Sequence, residues 1–309
     1  KFMFFRNVFF YTLPEIASLS TENLQTVLES SALQPVGALA MQSRGFVPPL
    51  GEHGAYLQHL EHSYWLCLGG EDRILPSAVV HREWQAKIAK LEEAKGHPLG
   101  KRARSQLKQD TLDDLMPRAF VKTSRLNALI NRKHGFIAID ATSAKAAEAL
   151  VSKLREALGS FPALPLQSAQ APRTILTNFL MKQALPENWH LGEECELQDP
   201  AEKGALVKCL RHDLASEEVL AHLTTGKQVS RLGLLFDANL SFVLGDDLIL
   251  RKFKLLAGAV DSIENTNTES LEDELMARFA LFSAELDLFY AEFSKALQLQ
   301  AISSQAKAA

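Results

Sequence analysis

Lys101, Arg102, Arg104, Lys108, Arg118 and Lys122 follow one another closely enough to act together, and Arg125 continues the series. Ammonium and guanidinium groups strung along a surface suit one chemistry well. They neutralise a line of phosphates and gain affinity by releasing counterions, without reading bases. On a helix the first four would form a ridge rather than a point. From Pro76 to Lys133 there are thirteen Lys/Arg against six Asp/Glu, about +7 in a chain whose formal net charge is -4. Residues 258–309 hold three against nine, so an acidic tail masks a basic arm in the sum. Lys208, Arg211, Lys227, Arg231, Arg251, Lys252 and Lys254 make a second basic set. The other reading of such charge is a solvated face laced with i,i+4 pairs, and charge alone leaves both open.

Other chemistries find less support. There is no G-x-G-x-x-G, G-x-S-x-G or H-E-x-x-H. Thr224-Thr225-Gly226-Lys227 imitates the end of a phosphate loop, but Ala221 stands where its first glycine belongs and Gln228 where its magnesium-binding Ser/Thr belongs. His53, His59 and His62 are close, yet no carboxylate or Cys completes a ligand spacing. Asp246-Asp247 falls at an expected hairpin turn, where acids serve turn geometry. Cys67, Cys195 and Cys209 form no C-x-x-C pair and read as buried reduced thiols. The expectation is therefore no catalytic residue, no metal and no cofactor.

The elements that position these residues follow from periodicity. Pro76 to Lys122 reads as two helices joined by Gly-His-Pro-Leu-Gly. Val79, Val80, Trp84, Ile88 and Leu91 stripe the first; Leu107, Leu112, Leu115 and Met116 stripe the second. Ahead of them lie a strand at Phe4 to Leu13, a helix at Asn23 to Ser31, a rigid loop at Gly45 to Pro49, and strand signal from Tyr56 to Leu68. Strands at Ala119 to Lys122 and Gly135 to Asp140 follow, then a helix from Ser143 to Leu158 stopped by Gly159. Pro162 to Pro172 is the expected linker. The second half predicts a helix at Thr174 to Gln183, strands at Glu193 to Leu197 and Ala205 to Arg211, and a helix capped by Ser216. A meander over Gln228 to Phe236, Leu240 to Leu244 and Asp247 to Lys254 leads to a long helix, Leu271 to Leu297. Leu275, Phe279, Phe282, Leu286, Phe289 and Phe293 run along that helix. The sum is an α+β protein with mostly antiparallel sheets. No run of eighteen apolar residues exists and no signal peptide fits, so the expected location is cytoplasmic; Met3 reads as the native start behind a Lys1-Phe2 remnant.

Six short motifs, in order along nearly the whole chain, carry a resemblance. They are Met3-Phe4-Phe5-Arg6-Asn7, Gly45-Phe46-Val47-Pro48-Pro49, Arg73-Ile74-Leu75-Pro76, Leu115-Met116-Pro117-Arg118-Ala119-Phe120, Asp213-Leu214-Ala215-Ser216-Glu217-Glu218 and Thr225-Gly226-Lys227. Together the chain resembles the RdgC family of recombination-associated proteins of proteobacteria. The resemblance implies a ring-shaped homodimer of horseshoe-shaped subunits around duplex DNA. Each subunit would have a centre domain (1–75 and 118–165), a helical tip (76–117) and a base domain (166–309). It implies nucleoid association, DNA binding without sequence preference, and restraint of the RecA recombinase by competition for DNA.

Carried over to this chain, Arg118-Ala119-Phe120 puts Phe120 at the contact between tips. The apolar stripe, with Trp84, Ile88 and Leu115, joins that interface because an exposed stripe needs a partner and a two-fold lets a patch meet itself. Arg211 and His212 fall near the hole, His212 in place of the usual Gln, and Lys227 joins the DNA-binding set with Lys101, Arg102, Arg104, Lys108, Arg118 and Lys122. His97 lies in a loop that is more basic in relatives. The competing expectation is a nucleotide- or metal-dependent DNA-processing enzyme using Thr224 to Lys227 or Asp246-Asp247.

Overall fold

The structure is a computed structural model that describes residues 5–14, 20–51, 54–182, 185–201, 204–256 and 270–300. Lys1 to Phe4, including the expected start at Met3, lie outside the described residues, as does His53. In chain order the elements are β1 (Val8–Thr12), α1 (Thr21–Ser30), β2 (Gln42–Val47), β3 (Leu57–Leu60), β4 (Ser63–Ile74), α2 (Ser77–Lys95), α3 (Lys101–Leu115), β5 (Phe120–Asn131), β6 (Phe136–Asp140) and α4 (Ala144–Leu158). Then come β7 (Leu164–Pro165), α5 (Pro172–Lys182), β8 (Trp189–Gln198), β9 (Leu206–Leu210), α6 (Glu217–Thr224), β10 (Gln228–Phe236), β11 (Leu240–Gly245), β12 (Leu250–Leu255) and α7 (Leu271–Ala296). The fold is α+β. Its strands are ordered β2-β4-β5-β6-β1-β12-β11-β10-β8-β9, with β3 on β4 and β7 on β1. The ladders from β6 across to β9 are antiparallel. Among the described residues, no helix is long and apolar enough to cross a membrane.

The chain divides into two compact units, one of Lys1–Leu28, Pro48–Cys67 and Leu126–Ala309, the other of Glu29–Val47 and Leu68–Arg125. In the first unit the core is aromatic. The stripe on α7 supplies Phe279, Phe282, Leu286, Phe289 and Phe293, all nearly fully buried. Phe289 alone has ring neighbours in Phe242 at 5.1 Å, Phe293 at 5.2 Å, Phe236 at 5.4 Å and Trp189 at 5.9 Å. Edge-to-face and stacked pairs of this kind add attraction to the burial of apolar area. α4 is capped as its sequence requires. The Ser143 side chain accepts from the Ala146 N–H, and Gly159 takes φ 73° at the other end, which costs a residue without Cβ little. The proline-rich stretch expected as a linker carries β7, which pairs with β1 inside this unit.

In the second unit, Gly45 to Val47 is the end of strand β2 rather than the loop expected there. A Cβ on Gly45 would run into the backbone of Leu33, so glycine here permits a close approach of two segments rather than a turn. The Arg73 guanidinium donates to the carbonyls of Met116 at 2.8 Å and Gly37 at 3.3 Å, tying the end of β4 to the residues that follow α3.

Candidate nucleic-acid interface

Helices α2 and α3 form a hairpin built around its own small core. Val80, Ile88, Leu99, Thr111 and Met116 are buried, and Gly96, at φ 68°, ends α2 with its N–H on the Glu92 carbonyl. The Glu92 carboxylate then holds the connection, accepting from the Leu99 N–H at 2.8 Å and from Arg104 at 2.9 Å. Those two bonds keep its carboxyl below the usual range, the Leu99 N–H contributing most. Part of the apolar stripe read from the sequence lies inside the hairpin. Val80 and Ile88 are buried, while Val79, Trp84, Leu91 and Leu115 are half-buried. Trp84 donates its indole N–H to the Arg104 carbonyl at 2.9 Å, and the Lys108 ammonium lies over its ring, 5.7 Å from the centroid.

Phe120 behaves differently. It begins β5 with 84% of its surface exposed, beside Val121 at 43%. This large apolar pair begins a strand whose first six residues are all exposed, and Phe120 is the most exposed of the unit's open apolar side chains, which also include Leu39, Met41 and Ile74.

The cations on α3 sit where helix electrostatics disfavours them. Lys101, Arg102 and Arg104 occupy its first turn, which carries no acidic residue, although the positive end of the helix dipole favours anions there. Arg104 is paired with Glu92, and on α2 Lys87 reaches Asp114 at 2.5 Å. Lys87, with a lesser charge effect from Arg118, holds the Asp114 carboxyl low. Lys101, Arg102, Lys108, Arg118 and Lys122 are exposed and form no ion pair among the described residues. An anion brought to the first turn of α3 would relieve the dipole mismatch of Lys101 and Arg102.

The second basic set is mostly neutralised. Lys208 and Arg231 share Glu196 at 2.8 and 3.2 Å, Lys252 meets Glu194 at 2.5 Å, and Arg251 meets Asp247 at 2.5 Å. Antiparallel register dictates this, since Glu196 lies opposite Lys208 on one side and Arg231 on the other. Burial pushes the Glu196 carboxyl up, but Lys208 and Arg231 bring it below its ordinary value. Arg211 and Lys227 form no ion pair among the described residues. Arg211 is exposed just past β9, in a left-handed conformation at φ 53°. Beside it the His212 ring contacts the Asp213 carbonyl at 3.0 Å and lies 3.5 Å from Glu218. His97 is exposed in the hairpin connection, its ring nitrogen 3.2 Å from the Pro98 carbonyl.

The residues considered for catalysis are occupied otherwise. A phosphate loop needs free N–H groups ahead of a helix, whereas Thr225-Gly226-Lys227 follows α6. The N–H groups of Gly226 and Lys227 already serve the carbonyls of Leu223 and His222. Asp246 accepts from Arg173 at 2.5 Å, so each carboxylate of Asp246-Asp247 has its own guanidinium. His59 is exposed on β3, and His62 lies 3.5 Å from Asp287. Among the described residues no three His, Cys, Asp or Glu side chains gather as a metal site. A cluster that sequence reasoning missed centres on buried Asp287 of α7, which accepts from Lys133 at 2.6 Å and Asn131 at 2.9 Å and lies 3.1 Å from His134. Burial raises its carboxyl, but these partners hold it below the ordinary range.

Fold and surface together define an α+β protein of open antiparallel sheet, with a helical hairpin on which Lys101, Arg102 and Lys108 are exposed and form no ion pair among the described residues. The chain belongs to the RdgC family, whose profile, described as "Putative exonuclease, RdgC", matches residues 3–300. It is 47% identical over 299 residues to the "Recombination-associated protein RdgC" of Xanthomonas oryzae pv. oryzae (strain MAFF 311018), covering 96% of this chain and 99% of that one. It is 46% identical over 299 residues to the protein of the same name from Stenotrophomonas maltophilia (strain R551-3), with the same coverage.

Proposed function

We propose that this chain binds duplex DNA without sequence preference, as a ring-shaped homodimer, and restrains RecA-dependent recombination by competing for that DNA. The observation that carries the reading is that Lys101, Arg102, Lys108, Arg118 and Lys122 are all exposed and form no ion pair among the described residues. They stay without ion pairs in a protein that neutralises most of its second basic set, and Lys101 and Arg102 crowd a helix start at the expense of helix stability. Contacts of this kind position a phosphate backbone and read no sequence. Family membership and the relatives' printed name tie the activity to recombination. Arg104, Arg211, His212 and Lys227 are the further DNA contacts of this reading. Phe120 carries the contact between tips, while Ile88, Trp84 and Leu115 shape the hairpin behind it. The protein is cytoplasmic and nucleoid-associated, and it acts by occupancy rather than catalysis.

Mobility shifts with duplexes of unrelated sequence over a salt series test this. Expected are equal affinities that fall steeply with salt; salt-insensitive or sequence-selective binding refutes it. Closed circular against linear duplex then tests the ring, which must open or thread to load. The family description favours one second reading, a nuclease. End-labelled duplex incubated with magnesium or manganese decides it: release of nucleotides by purified protein, lost on mutating Asp246 or Asp247, would replace the first reading.

A further inference from the structure

The two cysteines that look isolated in the sequence are partners across a ladder. Cys195 on β8 lies directly opposite Cys209 on β9 in antiparallel register, so both side chains project to the same face of the sheet. That is the core face, shared with Leu197 and Val207. Opposed residues of an antiparallel pair have Cα atoms about 4.5–5.5 Å apart, inside the range of about 4.4–6.8 Å that a disulfide spans. The pair is asymmetric. Cys195 is buried, whereas Cys209 is half-buried on β9, the last strand of the sheet order, where small oxidants can reach it.

We propose that Cys195 and Cys209 are a peroxide-sensitive dithiol that closes reversibly into a cross-strand disulfide and locks the edge strand β9 onto β8. Oxidation begins at Cys209. Its thiolate sulfur attacks a peroxide oxygen, the O–O bond breaks, and hydroxide leaves to take up a proton as water, giving a sulfenic acid. The Cys195 sulfur then attacks the Cys209 sulfur. The S–S bond forms, the S–O bond breaks, and the departing hydroxide carries off the Cys195 proton as a second water. One hydrogen peroxide is reduced by two electrons and two thiols are oxidised; a dithiol reductant reverses the step. Burial, with the neighbouring Cys209 thiol, pushes Cys195 up to about 12, which keeps it protonated and assigns the first attack to Cys209. The strand so fixed ends at Leu210, and the next residue is the left-handed Arg211. β9 itself lends the core only the half-buried Val207 and Cys209, so an edge strand with little packing gains the most from a staple.

The test uses the intact folded protein, treated with hydrogen peroxide, alkylated, and digested without reduction. Expected is a peptide linking Cys195 to Cys209 that dithiothreitol removes and that persists in Cys67→Ser. In Cys195→Ser the link is absent and dimedone traps a sulfenic acid at Cys209. Amide exchange of Leu206 to Leu210 slows by at least about tenfold on oxidation. Overturning results are a Cys209–Cys209 link between chains with Cys195 left reduced, over-oxidation of Cys209 in the wild type with no link, or a link with unchanged exchange in β9.

Discussion

Lys101 and Lys87 belong to the same hairpin and carry the same charge, yet only Lys101 is without an ion pair. Replacing either by Gln changes net charge equally, so the two variants separate a local contact from bulk electrostatics. If Lys101 neutralises one phosphate, its loss lowers the slope of log K against log salt by about 0.9. At 0.1 M salt that is about eightfold in affinity, or ~1.2 kcal/mol. Lys87 is held at 2.5 Å from Asp114, so Lys87→Gln should leave the slope unchanged. Replacing Lys101, Arg102, Lys108, Arg118 and Lys122 together should remove on the order of 4.5 from the slope. Fluorescence anisotropy of a labelled random duplex, from about 0.05 to 0.3 M salt, supplies the slopes over the range where counterion release is legible. Equal slopes for Lys101→Gln and wild type, or equal losses for Lys101→Gln and Lys87→Gln, would refute the assignment of the ridge.

Phe120→Ala should weaken self-association in sedimentation velocity while shifting unfolding by no more than about 0.5 kcal/mol, because the ring is 84% exposed and packs against little. Phe289→Ala, at the centre of the aromatic core, should cost about 3–5 kcal/mol in urea denaturation, with the hairpin's charge ridge unaltered. Asp287→Asn should cost about 2–3 kcal/mol at neutral pH by removing a charged acceptor from Lys133 and Asn131. The Asp287 carboxyl titrates lower in the folded than in the unfolded chain, so its stabilisation is present above the unfolded carboxylate range and is lost as pH falls through the folded value. Acid titration of stability should therefore be shallower in Asp287→Asn than in wild type.

Much of the scaffold was legible because periodicity and caps speak locally. Gln228 to Phe236 alternates and is β10, and the aromatic stripe from Phe279 to Phe293 is the buried face of α7. Gly45 misled for a physical reason: glycine before two prolines reads as a loop, but here it lets β2 pass against Leu33. The stripe on α2 was visible as a stripe, while its occupant was not, since burial of Ile88 depends on how α3 folds back. Pairing was the least visible layer. That Lys208 and Arg231 would be cancelled by Glu196, that Asp246 would hold Arg173, and that Cys195 would face Cys209 all depend on register between strands far apart in the chain. Asp287 gathers His62, Asn131, Lys133 and His134 from two distant segments, which no local pattern announces.

The strand order also bears on how the chain is made. β1 lies between β6 and β12, with Val8 opposite both Asp140 and Leu250. Its apolar residues are synthesised before those of the other strands, yet one flank stays open until the chain has been made through Leu250. The helix that buries Phe10, α7, comes later still. Contacts of such sequence separation are slow to close, and an unpaired Val-Phe-Phe-Tyr strand invites wrong partners meanwhile. The nascent chain is thus a natural client for a holding chaperone, and truncation anywhere before α7 should give an insoluble product rather than a smaller folded one.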